Sequence, residues 1–215
     1  MSSEQDSQNL TPRERRAART RESIIDAARC IIRERGAYGL SLREVARRID
    51  YSPAGLYEYF GSKDELIAAV IRDGFERFAH YQATVPTGLP PGERLYHLGL
   101  AYIRFARENP HHFMLIFNTP DLYQAAFLNN EIDDNDDFVA KGTYQTLVQA
   151  VKACFEAGDI HPDHHLDTVI LNTWAMVHGL STLMLAHPQP EIEANWEAIA
   201  DHLLNTWYRG LRYRP

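Results

Sequence analysis

The sequence predicts an all-α fold, and three observations predict it. Apolar residues recur at helical spacing along most of the chain, from the Ile24, Ala28, Ile31, Ile32 stripe to the Ile199, Leu203, Leu204, Trp207, Leu211 stripe. Pro- and Gly-containing breaks separate the stripes, at Val85 to Gly92, at Pro110, at Gly158 to Pro162 and at His187 to Pro190. Three helix-start signatures crowd into residues 41–66, SLREVARRIDYSPAGLYEYFGSKDEL. No strand alternation is sustained over a sheet, and no internal repeat is found.

Residues 1–19 read as a flexible arm: MSSEQDSQNLTP is polar, and Arg13, Arg15, Arg16 and Arg19 make the rest of the arm basic enough to touch phosphate or a minor groove. A first helix is expected from about Thr20 to Arg35, with Gly36 as its C-cap. Ser41-Leu-Arg-Glu44 has the capping-box pattern, in which hydroxyl and carboxylate satisfy orphan amides reciprocally. Ser52 offers an N-cap hydroxyl before Pro53, whose fixed φ suits the first helical position. Ser62-Lys-Asp-Glu65 repeats the capping-box pattern and launches a longer helix to about Ala83. Only Asp50 and Tyr51 remain to turn the chain between the first two short helices. A helix, a very short turn and a second helix is the geometry that places a helix in the DNA major groove. Residues 20–66 are therefore expected to bind DNA. Residues 67–215 are expected to form a helical body, with helices near 93–108, 110–129 (interrupted at Pro120), 136–157, 163–186 and 191–212.

The charge distribution agrees. The whole chain is at −7, which taken alone argues against a nucleic-acid partner. Residues 13–48, however, hold eleven Arg against five acidic residues, a net +6, which leaves −13 on the rest. A basic head on an acidic body concentrates attraction to phosphate at one site. Cys30 and Cys154 are the only cysteines, which suits a reducing compartment, and no run approaches eighteen apolar residues. A soluble cytoplasmic protein without a membrane partner is expected.

The residues Val45-Ala46, the turn through Ser52, Leu56-Tyr57-Glu58-Tyr59-Phe60, Ser62-Lys63 and Leu66 stand in an order that resembles the tetracycline-repressor (TetR) family of bacterial transcription regulators. Asp50 stands where that family usually has Gly, and Asp is among the few residues that tolerate a left-handed turn. The run Trp174-Ala-Met-Val-His178-Gly179 is also similar to the Trp-His-Gly signature of one C-terminal subclass. The resemblance implies a homodimer on a palindromic operator, double-stranded DNA and a small-molecule effector as partners, and no cofactor.

Helical spacing puts Leu56 and Phe60 in a small core with Ile24, Ile31, Val45 and Ile49, and Ala54, Gly55 and Glu58 on the opposite side, flanked by Tyr59. Small residues at 54 and 55, in the helix begun by Ser52 and Pro53, would let its backbone approach base edges. Glu58 suits a cytosine amino group, the Ala54 methyl a thymine methyl, and Arg43 a bidentate guanine contact. Tyr57 and Lys63 match family positions that hold phosphate, as does the amide-rich helix start at Ser62.

The last two helices are the expected dimer surface, with Trp174, Ala175, Gly179, Leu183, Leu203, Trp207 and Leu211 meeting in a four-helix bundle. An effector pocket is expected among Tyr102, Phe105, Phe113, Met114, Phe117, Phe155, Trp174 and His178, with Tyr123 and Phe127 also in the aromatic-rich stretch. A mostly apolar pocket with few polar groups suits a small lipophilic ligand. Competing readings are a protein-interaction module that lacks DNA binding, favoured only by Asp50 and Glu58, and a metal-dependent helical enzyme using His161, His164 and His165. The acidic run Asp133 to Asp137 begins like a calcium loop but has Phe138 where Gly is required and Tyr144 where the bidentate Glu belongs. No metal is expected.

Overall fold

The computed structural model describes residues 11–119 and 136–212, and every regular element among them is helical. The described residues divide into two compact units, 11–71 with 114–119, and 72–113 with 136–212.

In the first unit, α1 (Pro12–Arg35) is followed by a 3-10 turn (Ala37–Gly39), α2 (Leu42–Arg48), α3 (Pro53–Tyr57) and the start of α4 (Lys63–Ala83). Its core is made by Ile24, Ala28, Ile31, Val45, Ala46, Leu56, Phe60 and Leu66, all fully buried. Burial of a Leu or Phe of this kind contributes about 1.5–3 kcal/mol each. Ile49, expected in that core, is only half-buried.

Helix α1 begins at Pro12 and not near Thr20. Thr11 accepts from the Glu14 amide at 3.3 Å while the Glu14 carboxylate accepts from the Thr11 amide at 2.7 Å. Residues 12–19 are therefore helix, not flexible arm. Gly36 ends α1 with φ +72, the left-handed backbone that favours glycine.

The two expected boxes form differently. Ser41 accepts from the Glu44 amide at 3.2 Å, but the Glu44 carboxylate turns to Arg47 at 2.7 Å and Arg35 at 3.7 Å instead of returning to the Ser41 amide. Ser62 accepts from the Glu65 amide at 3.0 Å, and the Glu65 carboxylate reaches one residue further back, to the Gly61 amide at 2.6 Å. Ser52 caps α3 through the Gly55 amide at 3.0 Å.

The second unit is built on α5 (Pro91–Glu108), which packs against α7 (Asp136–Glu156), α8 (Leu166–Ala186) and α10 (Trp196–Leu211). It also contains the latter part of α4, the start of α6 (Pro110–Phe117) and the short α9 (Pro190–Ala194). Its core joins Leu95, Leu98, Val151, Cys154, Ile160, Val169, Ile170 and Leu211. Close approach of α5 to α10 rests on Gly92 and Gly99: a Cβ at these positions would lie 1.8 Å from the Tyr208 hydroxyl and 2.6 Å from Leu204 Cδ2. The helix expected over 191–212 is broken at Asn195, which ends α9 and starts α10. The expected interruption at Pro120, Tyr123 and Phe127, and most of the acidic run lie outside the described residues.

Candidate nucleic-acid interface

The backbone between α2 and α3 determines what this part of the first unit can present. Asp50 has φ +51 and is, among the described residues, the only non-glycine with positive φ. The turn closes through the Tyr51 amide, which donates to the Ala46 carbonyl at 2.9 Å. Leu56 and Phe60 then face inward, and α3 leaves Ala54, Tyr57 and Glu58 exposed, Tyr57 by 53%. Ser52 and Pro53 are exposed at its start, and Tyr59 is half-buried. Glu58 is the C-cap of α3, not an interior helical residue.

Gly55 is half-buried because the Tyr51 ring lies over it, so its missing side chain accommodates an aromatic neighbour in this structure. The Tyr51 and Tyr59 rings meet edge-on at 6.1 Å, and hydrogen bonding to Tyr59 raises the Tyr51 phenol above its ordinary value. Sequence reasoning misses Tyr51. The four-residue spacing to Gly55 is visible, but Tyr51 precedes the cap and helical periodicity says nothing of where it points.

Arg43 is exposed on α2 and holds no ion pair among the described residues. Its neighbours differ. Arg48 forks onto Glu34 at 3.0 and 2.5 Å, and Arg47 onto Glu44 at 3.1 and 2.7 Å. These bonds hold the Glu34 and Glu44 carboxyls below the usual carboxylate range. Lys63, in the first turn of α4, donates to the Tyr38 carbonyl at 3.1 Å. An ammonium carries three donors, so this anchor directs the side chain and leaves capacity for an anion. Ser62, half-buried beside it, is committed to capping α4.

In the second unit Tyr102 is buried and its hydroxyl lies 3.0 Å from His178 Nδ1, while Trp174 Nε1 donates to the same hydroxyl at 3.3 Å. His178 Nε2 lies 3.4 Å from the Thr182 hydroxyl. Aromatic rings surround this polar chain, with Phe78 5.3 Å from Tyr102, Phe113 5.5 Å from His178, and Phe105 against Phe78. Burial pushes the Tyr102 phenol up and the His178 imidazole down, since each charged form loses water. Five of the expected effector residues, Tyr102, Phe105, Phe113, Trp174 and His178, are thus brought together. Phe155 packs elsewhere, against the Leu95–Val151 core. Met114 is exposed and Phe117 half-buried, both within the first unit.

The expected dimer residues divide. On α8, Ala175 and Leu183 are exposed and Gly179 is half-buried, with Leu171 and Leu183 leaving 60% and 61% of their surface uncovered. Leu203 and Trp207 on α10 are half-buried, and Trp207 Nε1 donates to the Thr173 hydroxyl at 3.3 Å. Leu211 is only 4% exposed and belongs to the core of its own protomer, so it is not surface available to a partner. Trp174 is half-buried and directed to Tyr102. A cleft of about 520 Å³ lies along this seam, lined by His164, His165, Thr168, Asn172, Leu203 and Trp207 among others. Among the described residues, helix α8 is long and apolar enough by composition to cross a membrane, with 33% of that window buried, a composition that the core helix of a soluble protein shares. No group of three His, Cys, Asp or Glu is placed to hold a metal among the described residues.

Comparison with known proteins agrees with this geometry. Residues 24–70 match the family described as bacterial regulatory proteins, tetR family, and residues 95–207 match the tetracyclin repressor-like C-terminal domain. The chain is 40% identical over 52 residues to the HTH-type transcriptional regulator BetI of Rhizobium meliloti (strain 1021), a match to 24% of this chain and 26% of that protein. It is 26% identical over 164 residues to the HTH-type transcriptional repressor KstR2 of Mycobacterium tuberculosis (strain CDC 1551 / Oshkosh), covering 73% of this chain and 79% of the other. The fold is shared with a solved tetR-family regulatory protein from Rhodococcus RHA1, at TM-score 0.70, 18% identity, and coverage of 91% and 98%. These relatives are regulators, not enzymes. With both halves of the chain matched, and the turn at Asp50 setting out a helix-turn-helix, the protein belongs to the TetR family and is a transcriptional regulator with an N-terminal DNA-binding domain.

Proposed function

We propose that this regulator is a ligand-responsive repressor that binds a palindromic operator as a homodimer in the cytoplasm and leaves it when a small lipophilic effector binds. Residues 20–66 do the DNA reading, and residues 67–215 hold the effector and the dimer contact. The observation that carries the reading is the left-handed turn at Asp50, which follows α2 with a capped α3 that leaves Ala54, Tyr57 and Glu58 exposed. In this reading the unpaired Arg43 contacts guanine, Glu58 a cytosine amino group and Ala54 a thymine methyl, with Gly55 and Tyr59 beside them. Tyr57, Lys63 and the amides after Ser62 hold phosphate, and Ser52 with Pro53 sets where the helix starts. Repression is the activity named for KstR2, similar over most of this chain.

The uncovered apolar side of α8, with small residues Ala175 and Gly179 between Leu171 and Leu183, supports pairing with a second copy better than exposure to water. The Tyr102–His178–Trp174 chain inside an aromatic cluster supports an apolar effector with one polar atom. Such a ligand shifts DNA affinity only by its differential affinity for two conformations.

Selection of the purified protein on random duplexes at near-physiological salt tests this. A two-fold symmetric motif is expected. Recovery of no motif, with binding that disappears as salt rises, overturns the reading.

A further inference from the structure

Among the described residues, the buried polar side chains are those of Thr143, Thr173 and Ser181. The two threonines are satisfied by a backbone carbonyl about one turn back. Thr143 donates to the Ala140 carbonyl at 2.8 Å, and Thr173 to the Val169 carbonyl at 2.7 Å. Ser181 is different. It is 0% exposed, and its hydroxyl has no hydrogen-bond partner. The Val177 carbonyl stands four residues back, as Val169 does for Thr173, yet the Ser181 hydroxyl does not take it. Buried polar groups are nearly always paired, and an unmet O–H inside a protein keeps its full desolvation penalty.

Its place in the fold gives this exception a role. On α8, Ser181 shares an arc of about 60° with Trp174 and His178, and lies about 4.5 Å further along the axis than His178. It therefore belongs to the strip of α8 that meets the aromatic cluster of Phe78, Tyr102 and Phe113. The other polar atoms of that strip are engaged with one another or with Tyr102. The Trp174 indole has a single donor, which goes to the Tyr102 hydroxyl. Tyr102 meets His178 Nδ1, and His178 Nε2 meets Thr182. A ligand that used these atoms would have to break bonds already made, whereas one that used Ser181 would complete a bond that is missing.

The same partners limit the charge a ligand can carry. Burial holds the His178 imidazole below its ordinary value, so it is neutral at neutral pH. Trp174, Tyr102 and Thr182 bring no charge either. A carboxylate taken out of water beside these groups would meet no opposite charge among them, at a large cost. A ketone or ester oxygen accepts a proton from Ser181 without that cost.

We propose that Ser181 is the residue that recognises the effector, donating its hydroxyl proton to a neutral carbonyl oxygen on an otherwise apolar molecule. This rests on the effector reading above. It assigns the polar contact to Ser181 and leaves the Tyr102–His178–Trp174 chain to shape the site.

The test titrates the full chain with three molecules of similar shape: acetophenone; cumene, in which a methyl replaces the carbonyl oxygen; and benzoate, which adds charge. Calorimetry on wild type should show roughly tenfold tighter binding of acetophenone than of cumene, and benzoate weaker than either. Ser181→Ala should lower acetophenone to the cumene level and leave cumene unchanged. Its melting temperature should rise, because the unmet hydroxyl is gone and Ala favours the helix. A fall in melting temperature would mean that the fold or a bound water satisfies the hydroxyl, and overturns the proposal. So does benzoate binding tighter than acetophenone, or a Ser181→Ala protein that keeps the tenfold preference. If acetophenone and cumene bind wild type equally, the apolar site stands and only the role of Ser181 falls. If neither binds, the effector reading falls and Ser181 with it.

Discussion

The Tyr51 ring lies so close over Gly55 that a methyl group added at residue 55 would sit 2.7 Å from Tyr51 Cε1. Real side-chain carbons do not approach so closely, so the ring must leave if the methyl arrives. Gly55→Ala should therefore displace Tyr51 from the outer side of the helix-turn-helix. Helix propensity favours Ala by about 1 kcal/mol, so the melting temperature should hold or rise slightly while specific DNA affinity falls. A Tyr51→Ala, Gly55→Ala double variant should lose little more than Tyr51→Ala alone. Additive losses in a binding titration would refute the coupling.

Asp50 occupies a backbone region that favours glycine. Asp50→Gly should leave stability equal or raise it by up to about 1 kcal/mol, whereas Asp50→Ala should lower it by about 1 kcal/mol, since Ala has no short polar group to compensate. Urea unfolding of the three proteins decides this, and equal midpoints for Gly and Ala would contradict the strain argument.

Arg43 and Lys63 should separate cleanly in binding assays. Arg43→Ala should relax preference at one base pair of each half-site, at about 1–3 kcal/mol, whereas Lys63→Ala should weaken binding to all sequences and reduce the salt slope by about 1. The same sequence-specific loss for both would sink that division.

Burial holds the His178 imidazole below its ordinary value of 6.5. A depressed pKa on a base means that the unfolded chain binds the proton first, so stability is complete above pH 6.5 and declines as the pH falls below it. His178→Gln should show a shallower acid loss than wild type in melts between pH 7 and 5. Titration by NMR should place the imidazole below 6.5, and a value above it would reverse the sign.

How much of this is open to reading depends on whether a signal is local. The caps at Ser41, Ser52 and Ser62 and the inward set Leu56 and Phe60 follow from three- and four-residue spacing, and the structure shows them. Thr11 and Glu14 carry the same spacing but escape notice, because residues 12–19 have no apolar stripe: a helix extended by propagation shows no amphipathic pattern. The reciprocal bond expected of Glu44 is absent because its carboxylate finds Arg35 and Arg47. Leu211 shares its stripe with Leu203, and only the three-dimensional meeting of α5, α7, α8 and α10 shows that one is core and the other half-open. The break at Asn195 has neither Pro nor Gly at the break itself to announce it.

The forks of Glu34 with Arg48 and Glu44 with Arg47 bear on selectivity. Two arginines near the turn are occupied by carboxylates of their own unit, so a random phosphate has to compete for them, while Arg43 stands ready. Neutralising either acid should make the protein less discriminating. Glu34→Gln is expected to tighten binding to arbitrary duplex several-fold and to narrow the gap between cognate and random DNA. In a bacterial cell the random sequence is in vast excess, and such a variant would be held away from its operator by the rest of the genome.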